Sequence, residues 1–232
     1  MKTLIVVPTY NESENIPNLI PEILKYNPEV DVLVADDNSP DGTGDIVKAL
    51  HKENPKIHLL HREKKQGLGK AYLAAFEWGL NNGYEVIVEM DADFSHNPQD
   101  LVNILKAVKD KDFVIGSRYI PGGGVVNWGF LRLLISRGGG VYSRMILNYP
   151  ISDWTGGFNA WKRETLLGMD LNSVTSDGYC FQIELKYRAS KKGFTGAEVP
   201  ITFEDRKVGQ SKMSLAIVLE AFYKVWLLRF RV

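Results

Sequence analysis

Short apolar runs alternate along the chain with longer segments in which apolar residues recur every three or four positions. Residues 3–7 closed by Pro8, residues 30–35, residues 57–60 and the stretch 85–93 around Val86-Ile87-Val88 each read as a strand buried on both faces. Between them, Ile16, Leu19, Ile20, Ile23 and Leu24 share one helical face. Ile46, Val47 and Leu50 mark a second helix, a third runs from Leu68 past Trp78, and a fourth covers residues 98–108. Four strand–helix alternations predict an α/β fold with a mostly parallel central sheet flanked by helices.

Ligands of open α/β sheets bind beyond the carboxyl ends of the strands, so the residues that leave each run carry the candidate chemistry. The first run opens into Thr9-Tyr10-Asn11-Glu12, where Glu12 either caps the next helix or points into a site. The second ends in Asp36-Asp37-Asn38-Ser39-Pro40-Asp41-Gly42-Thr43. Its later half is what a tight turn and helix start require, and at least one of Asp36 and Asp37 remains to accept hydrogen bonds from a ribose or a base. The fourth run leads into Asp91-Ala92-Asp93-Phe94-Ser95-His96. If the backbone stays extended, Asp91 and Asp93 point the same way and suit Mg²⁺ or Mn²⁺, which fills its other positions with waters and phosphate oxygens. His96, a lone histidine in a loop, reads as neither ligand nor catalyst.

Two familiar nucleotide motifs are excluded. Gly67, Gly69 and Lys70 lack the spacing of a phosphate loop, leaving a strand-to-helix turn or a loop whose backbone a ligand approaches. The first turn has none of the glycines of a dinucleotide fingerprint, so a dehydrogenase is ruled out.

Beyond residue 112 the texture changes. Residues 113–115 form another apolar run ending in Gly116-Ser117-Arg118-Tyr119, and the segment 130–137 adds Arg132 and Arg137 among Phe130, Leu133, Leu134 and Ile135. This mixture suits a lipid with an anionic head, or equally a core helix whose arginines reach outward. Arg118, at a strand end, is the strongest phosphate candidate because guanidinium binds phosphate as a bidentate fork. The loop 153–159 reads either as a sugar contact through Asp153 and Trp154 or as a structural turn. A helix over 179–189 buries Phe181, Ile183 and Leu185, and residues 198–203 read as an edge strand, since Pro200 removes a ladder donor. In the polar loop 205–212, Arg206 and Lys212 either swing onto a diphosphate or form a solvated cluster. The last twenty residues are apolar except for Ser214, Glu220, Lys224, Arg229 and Arg231. Mid-helix charges cost about 2.5–3.5 kcal/mol each inside a bilayer, so residues 213–232 are expected to form an amphipathic helix packed on the domain or at a membrane surface, beside a catalytic domain over 1–212.

Bulk composition narrows this picture. The 232 residues are 44% hydrophobic, and 28 basic side chains balance 28 acidic ones. One main domain follows, and any anion-binding role must be local, with no electrostatic case for nucleic acid. The single Cys180 excludes an intramolecular disulfide and reads as structural. No secretory leader pattern opens the chain, so the expected setting is the cytoplasm.

In this order Pro8-Thr9-Tyr10-Asn11-Glu12, the Asp36-to-Thr43 segment, Asp91-Ala92-Asp93-Phe94-Ser95-His96, Gly116-Ser117-Arg118-Tyr119 and the Asp205-to-Lys212 segment closely resemble the dolichyl-phosphate mannosyltransferases of the inverting family 2 glycosyltransferases. The resemblance covers nearly the whole chain and implies a GT-A type nucleotide-diphospho-sugar transferase fold. It implies GDP-mannose as donor and a dolichyl or polyprenyl phosphate as acceptor. Carried over residue by residue, it sets the nucleotide sugar against Pro8, Tyr10, Glu12, Ala35, Asp37, Asp91, Ala92 and Asp93, with Arg206 and Lys212 closing on the donor. Asp91 and Asp93 would hold the divalent cation, Mg²⁺ or Mn²⁺. Arg118, Arg132 and Ser136 would hold the acceptor phosphate, and catalytic weight would fall on Asp91, Asp93, Arg118, Arg206 and Lys212. Some relatives carry Gln as a metal ligand where this chain has Ser95, which puts that ligand in question. The chain resembles the compact form, bound peripherally at the cytoplasmic face of a membrane or through an anchoring partner. A polyprenyl-phosphate glucosyltransferase using UDP-glucose and a non-catalytic sugar-nucleotide binding module are the alternatives.

Overall fold

In the computed structural model, which describes residues 1–204 and 215–231, with residues 215–221 as backbone only, the central element is β1 (Thr3–Thr9). Its Leu4 and Val6 face one hydrophobic cluster and Ile5 and Val7 another, all fully buried, as an alternating strand between two helical layers must be. On one side β1 pairs in parallel with β2 (Asp31–Asp36), which pairs with β3 (Ile57–His61); on the other it pairs in parallel with β4 (Val86–Glu89). α1 (Ile16–Tyr26), α2 (Thr43–Glu53) and α3 (Leu68–Asn81) connect them. Ile16, Leu19, Ile20 and Ile23 of α1 are fully buried, at roughly 1.5–3 kcal/mol each, while Leu24 is half-buried at the edge of the stripe. Because β2 and β4 lie on opposite sides of β1, the crevice between the ends of β1 and β4 is a topological switch point, where open sheets take their ligands.

The sheet continues past β4 in an order the alternation of elements does not reveal. After α4 (Leu101–Ala107), β5 (Phe113–Ser117), β6 (Gly124–Val126) and α5 (Phe130–Leu147) comes β7 (Asn159–Lys162), antiparallel to both neighbours and inserted between β4 and β5. α6 (Arg163–Gly168) and α7 (Gly178–Lys191) lead to β8 (Gly196–Pro200), parallel to β5 at the sheet edge, and the full order is β3-β2-β1-β4-β7-β5-β8. The sheet is mostly parallel, as expected, with β7 reversed. Reversal puts the start of β7, and the loop before it, at the carboxyl edge of β4 and β5.

Four boundaries differ from the sequence reading. Pro8 lies inside β1: Val6 C=O accepts from Met90 N–H, so residue 8 faces the same side beyond the last β1–β4 pairing, where no amide donor is needed. The fourth strand ends at Glu89, short of Asp93. Residues 98–100 form a 3₁₀ turn before α4, with Asn97 accepting from Gln99 N–H as its cap. Residues 198–203 are two strands, because the chain turns at Ile201 from β8 into β9 (Thr202–Glu204), which pairs with β6 in a separate two-stranded sheet.

The final helix, α8 (Leu215–Arg231), packs on α5 and α7. Val225 and Leu228 join the cluster around α7, Tyr142 meets Phe222 at 4.1 Å between ring centroids, and Arg229 donates to Leu147 C=O at 3.2 Å. Its outer side exposes Phe222, Tyr223, Trp226 and Phe230. Core packing and surface display thus coexist on one helix.

Candidate active site

One side of the candidate site is built by loops at the ends of β1, β2 and β4. Asp36 is fully buried and accepts from Thr9 Oγ1 at 2.9 Å and Ser39 N–H at 3.0 Å, so it ties β1 to the turn and is closed to a ligand. Asp37 pairs with Arg62 and accepts from Gln66 N–H at 3.3 Å. The exposed ring of Tyr10 carries Lys65 over its face at 3.6 Å. Pro8 is half-buried beside them, whereas Ala35 is fully buried in β2 with its side chain in the core. Glu12 belongs to the start of α1: its C=O accepts from Asn15 and Ile16 N–H, and its carboxylate accepts from Asn15 Nδ2 at 2.7 Å. Asp41 fastens the two loops together by accepting from Ser13 N–H at 3.0 Å and from Thr43. Burial would raise its carboxyl, but the Thr43 and Ser13 hydrogen bonds bring it down to about 2.

Asp91 and Asp93 lie half-buried in the loop after β4, with Ala92 buried between them. They do not sit on extended backbone. Asp91 N–H donates to His96 Nδ1 at 3.1 Å, Asp93 Oδ1 accepts from Ser95 N–H at 3.1 Å, and Phe94 takes a left-handed φ of 60°. A tight loop, not a continued strand, carries both carboxylates beyond the end of β4. His96, read from sequence as a bystander, is buried, stacks on Phe158 at 4.7 Å and fixes the Asp91 backbone. Accepting at Nδ1 leaves its proton on Nε2, and burial lowers its pKa, with Asp91 and Asp93 opposing. Two carboxylates are a fitting donor set for Mg²⁺ or Mn²⁺. Among the described residues no His, Cys, Asp and Glu group of three or more is gathered for a metal, so the remaining ligands would be waters and phosphate oxygens. The buried Ser95 Oγ has no hydrogen-bond partner among the described residues.

Gly67 and Gly69 resolve in favour of a structural turn. The carboxylate of Asp177, the residue before α7, accepts from Gly69 N–H and Gly178 N–H, both at 2.8 Å. A Cβ on Gly67, whose φ is +102°, would meet Asp177 Oδ2 at 2.0 Å.

On the other side of the β4 loop lies Arg118, directly after β5 and buried. Its Nε and Nη2 hold Asp153 Oδ2 and Oδ1, both at 2.7 Å, and Nη2 reaches Thr155 Oγ1 at 2.9 Å. The pair is thus a bidentate fork made inside the protein. Burial would raise the Asp153 carboxyl, but the Arg118 guanidinium, and after it Lys186, bring it down to about 2. Asp153 and Trp154 are both fully buried, so the sugar-contact reading of that loop gives way to a structural one. Arg118 and Arg132 flank Trp128, at 5.4 and 4.1 Å from its ring, and Tyr119 OH donates to Ser136 Oγ at 2.6 Å. Arg118, Arg132 and Ser136 are therefore gathered in one place. The two halves meet through β9: Phe203 bridges to His96, lies edge-on to its ring at 5.5 Å, and has the Arg118 guanidinium 5.4 Å from its own centroid. Arg206 and Lys212 lie outside the described residues.

Behind this floor runs a polar network that sequence reasoning missed. Glu89, the last residue of β4, is fully buried and accepts from Trp161 Nε1, Asn159 Nδ2 and Gln182 Nε2. Burial raises its pKa and those three bonds oppose the rise. Lys186 of α7 is likewise fully buried and its pKa lowered by burial, with Asp153 and Glu89 opposing. One signal was available. Gln182, Glu184 and Lys186 interleave with Phe181, Ile183, Leu185 and Tyr187, a helix with no solvent face and therefore with polar groups facing inward.

The chain is similar to known proteins over nearly its whole length. Residues 4–167 match the glycosyl transferase family 2 description. The chain is 50% identical over 226 residues, 97% of its length and 85% of the relative's, to a polyprenol monophosphomannose synthase of Mycolicibacterium smegmatis. It is 48% identical over 225 residues, 97% of its length and 93% of the relative's, to an undecaprenyl-phosphate mannosyltransferase of Micrococcus luteus. Among solved structures, a mannosyltransferase from Pyrobaculum calidifontis in complex with GDP-Man and Mn²⁺ superposes with a TM-score of 0.63 at 19% identity, covering 99% of this chain and 63% of that one. That likeness carries the fold, which is of the GT-A type.

Proposed function

The chain belongs to glycosyl transferase family 2, and from that premise we propose that it transfers mannose from GDP-mannose to a polyprenyl or dolichyl monophosphate, with inversion and release of GDP. The observation that carries this reading is the adjacency, through His96 and Phe203, of a carboxylate loop and an arginine cluster. One suits a metal–diphosphate and the other a phosphate monoester. The relatives of similar length named for polyprenyl-phosphate mannosyl transfer support the same choice of acceptor and sugar.

Chemically, little is asked of an acid or base. A phosphate monoester has its second pKa near 6, so its oxygen is already ionised at neutral pH and attacks the anomeric carbon directly. A single in-line displacement inverts that centre. Asp91 and Asp93 would hold Mg²⁺ or Mn²⁺, which supplies charge stabilisation to the departing diphosphate. Tyr10 and Asp37, with Pro8, Glu12, Ala35 and Ala92 around them, form the nucleotide wall in this reading, with Ala35 contributing only backbone. Arg206 and Lys212 complete the donor side. Arg118, Arg132 and Ser136 align the acceptor phosphate, so catalysis rests on positioning and preorganised charge.

The lipid tail of such an acceptor calls for a surface, and α5 and α8 offer one. Phe130, Leu131, Leu134, Met145, Trp226 and Phe230 are exposed along them, interspersed with Arg137, Arg144, Arg229 and Arg231. Among the described residues no helix is long and apolar enough to cross a membrane. We assign this face to peripheral contact with an anionic bilayer, on the cytoplasmic side, because its charge complements anionic headgroups.

The test is transfer of radiolabelled sugar from GDP-mannose, and separately from UDP-glucose, to a short polyprenyl phosphate with and without Mg²⁺ or Mn²⁺. Metal-dependent mannosyl lipid from GDP-mannose is the expected product. Transfer from UDP-glucose alone would overturn the sugar, and transfer from neither donor would leave a binding module.

A further inference from the structure

The ammonium of Lys186 has three N–H groups, and each is matched by a backbone carbonyl: Gly156 at 2.7 Å, Asp153 at 3.0 Å and Trp154 at 3.2 Å. All three carbonyls belong to the loop that enters β7. The amide side of the same loop is held by Glu198 of β8, whose carboxylate accepts from Ser152 N–H at 2.9 Å and Asp153 N–H at 3.0 Å. Gly156 N–H closes the turn onto Asp153 Oδ1 at 2.9 Å. A short loop is therefore clamped from two directions by opposite charges, and its one carboxylate is aimed at Arg118. That aim is specific: Asp153 also accepts from Arg118 backbone N–H at 3.0 Å, so both the guanidinium and its own backbone are referred to this loop.

We propose that Lys186 and Glu198 are positioning residues for the acceptor phosphate, acting through the 152–156 loop and Asp153 on the guanidinium of Arg118. The proposal rests on reading Arg118 as an acceptor-phosphate group. Three of the five guanidinium N–H groups are fixed by Asp153 and Thr155, and the two on Nη1 make no hydrogen bond among the described residues. Their direction follows from where Asp153 sits, as a fork held at one edge presents the other. A buried ammonium is costly to desolvate, and here that cost is offset by matching all three of its N–H groups. What only the ammonium supplies at this position is three directed bonds to one loop. Lys186 touches neither donor nor acceptor in this scheme, and its effect must appear on the acceptor alone.

The experiment compares Lys186→Met, Lys186→Arg, Glu198→Ala and Arg118→Lys in the full chain, reading kcat and the separate KM values for undecaprenyl phosphate and GDP-mannose, with the thermal midpoint of each. Lys186→Met and Glu198→Ala are expected to raise the acceptor KM about tenfold, the equivalent of one misplaced charge-assisted bond. The donor KM should stay within about twofold, and Lys186→Arg, which keeps donors, should recover part of the loss. If Lys186→Met does not fold, the half-buried Glu198→Ala carries the test, because it releases the same loop from the other side. Equal rises in both KM values, or no rise in either variant while Arg118→Lys raises the acceptor KM, would overturn the positioning role. An acceptor KM unchanged by Arg118→Lys would remove Arg118 from the acceptor site, and the positioning proposal with it.

Discussion

The loops around Asp91 and Asp93 and the cluster around Arg118 hold charge by opposite means. Around Asp91 and Asp93 the carboxylates are half-buried and the loop is held by partners a few residues away, Asp93 Oδ1 accepting from Ser95 N–H and Asp91 N–H donating to His96 Nδ1. Arg118, Asp153 and Lys186 are instead all buried and paired within the protein, Asp153 lying 35 positions from Arg118 and Lys186 a further 33 beyond that. Half-exposed carboxylates can exchange solvent for an incoming metal at little cost. The buried guanidinium instead arrives oriented, and its desolvation has been met by folding. In the proposed reaction a nucleotide with its ion is admitted and released while a lipid phosphate is aligned for attack, and the two arrangements suit those two tasks.

Breaking this contrast should cost most at Arg118. Arg118→Ala leaves Asp153 charged and buried without its partner, which is expected to destabilise the fold by about 3–5 kcal/mol in denaturant unfolding, in addition to slowing turnover by roughly one to two orders of magnitude. A variant as stable as the parent would mean that the pair contributes no preorganisation. Next comes the β4 loop. Asp91→Asn and Asp93→Asn should each lower turnover by roughly two to three orders of magnitude, about 2.7–4 kcal/mol of barrier, with unfolding midpoints close to the parent's. A stability loss matching that of Arg118→Ala would erase the distinction between the two sides.

The smallest and sharpest effect is on pH. Asp153 has its folded pKa held at about 2 against an ordinary 3.8, so its stabilising contribution is full above pH 3.8 and is lost as the pH falls through about 2. The stability gap between the parent and Asp153→Asn should therefore be constant from neutral pH down to about 4 and shrink only below it. A gap that closes between pH 5 and 7 would place the responsible titration elsewhere.

How much was legible in advance divides along the same line. The first four strands, the helices between them and the carboxylates at their ends were readable because each signal is local: an apolar run, a 3.6-residue period, a turn sequence. Even there the mechanism of presentation was misread. Asp91 and Asp93 lie on a loop pinned by His96 and Ser95, not on a continued strand. Arg118 stood out by its place at a strand end, whereas Arg132 and Ser136 were named through resemblance, composition alone leaving their segment balanced between a lipid-facing helix and a core helix. Asp153 was read as a sugar contact or a turn and not as the partner of Arg118, and Glu89, Gln182 and Lys186 escaped, since a polar residue in an apolar stretch carries no mark of the group it will meet.

The chain's local patterns, by themselves, determined an α/β protein with acidic mouths at its strand ends and an amphipathic final helix, because periodicity and turn chemistry act over a few residues. Only the tertiary structure decided that β7 enters backwards between β4 and β5. That single insertion carries the 152–158 loop to the carboxyl edge, where Asp153 meets Arg118 and Lys186 reaches three carbonyls, and it brings Asn159 and Trp161 of β7 to Glu89 beside Gln182 of α7. Strand order is set by which buried faces and hydrogen-bond ladders fit together across the whole sheet, a condition that no short stretch of sequence contains.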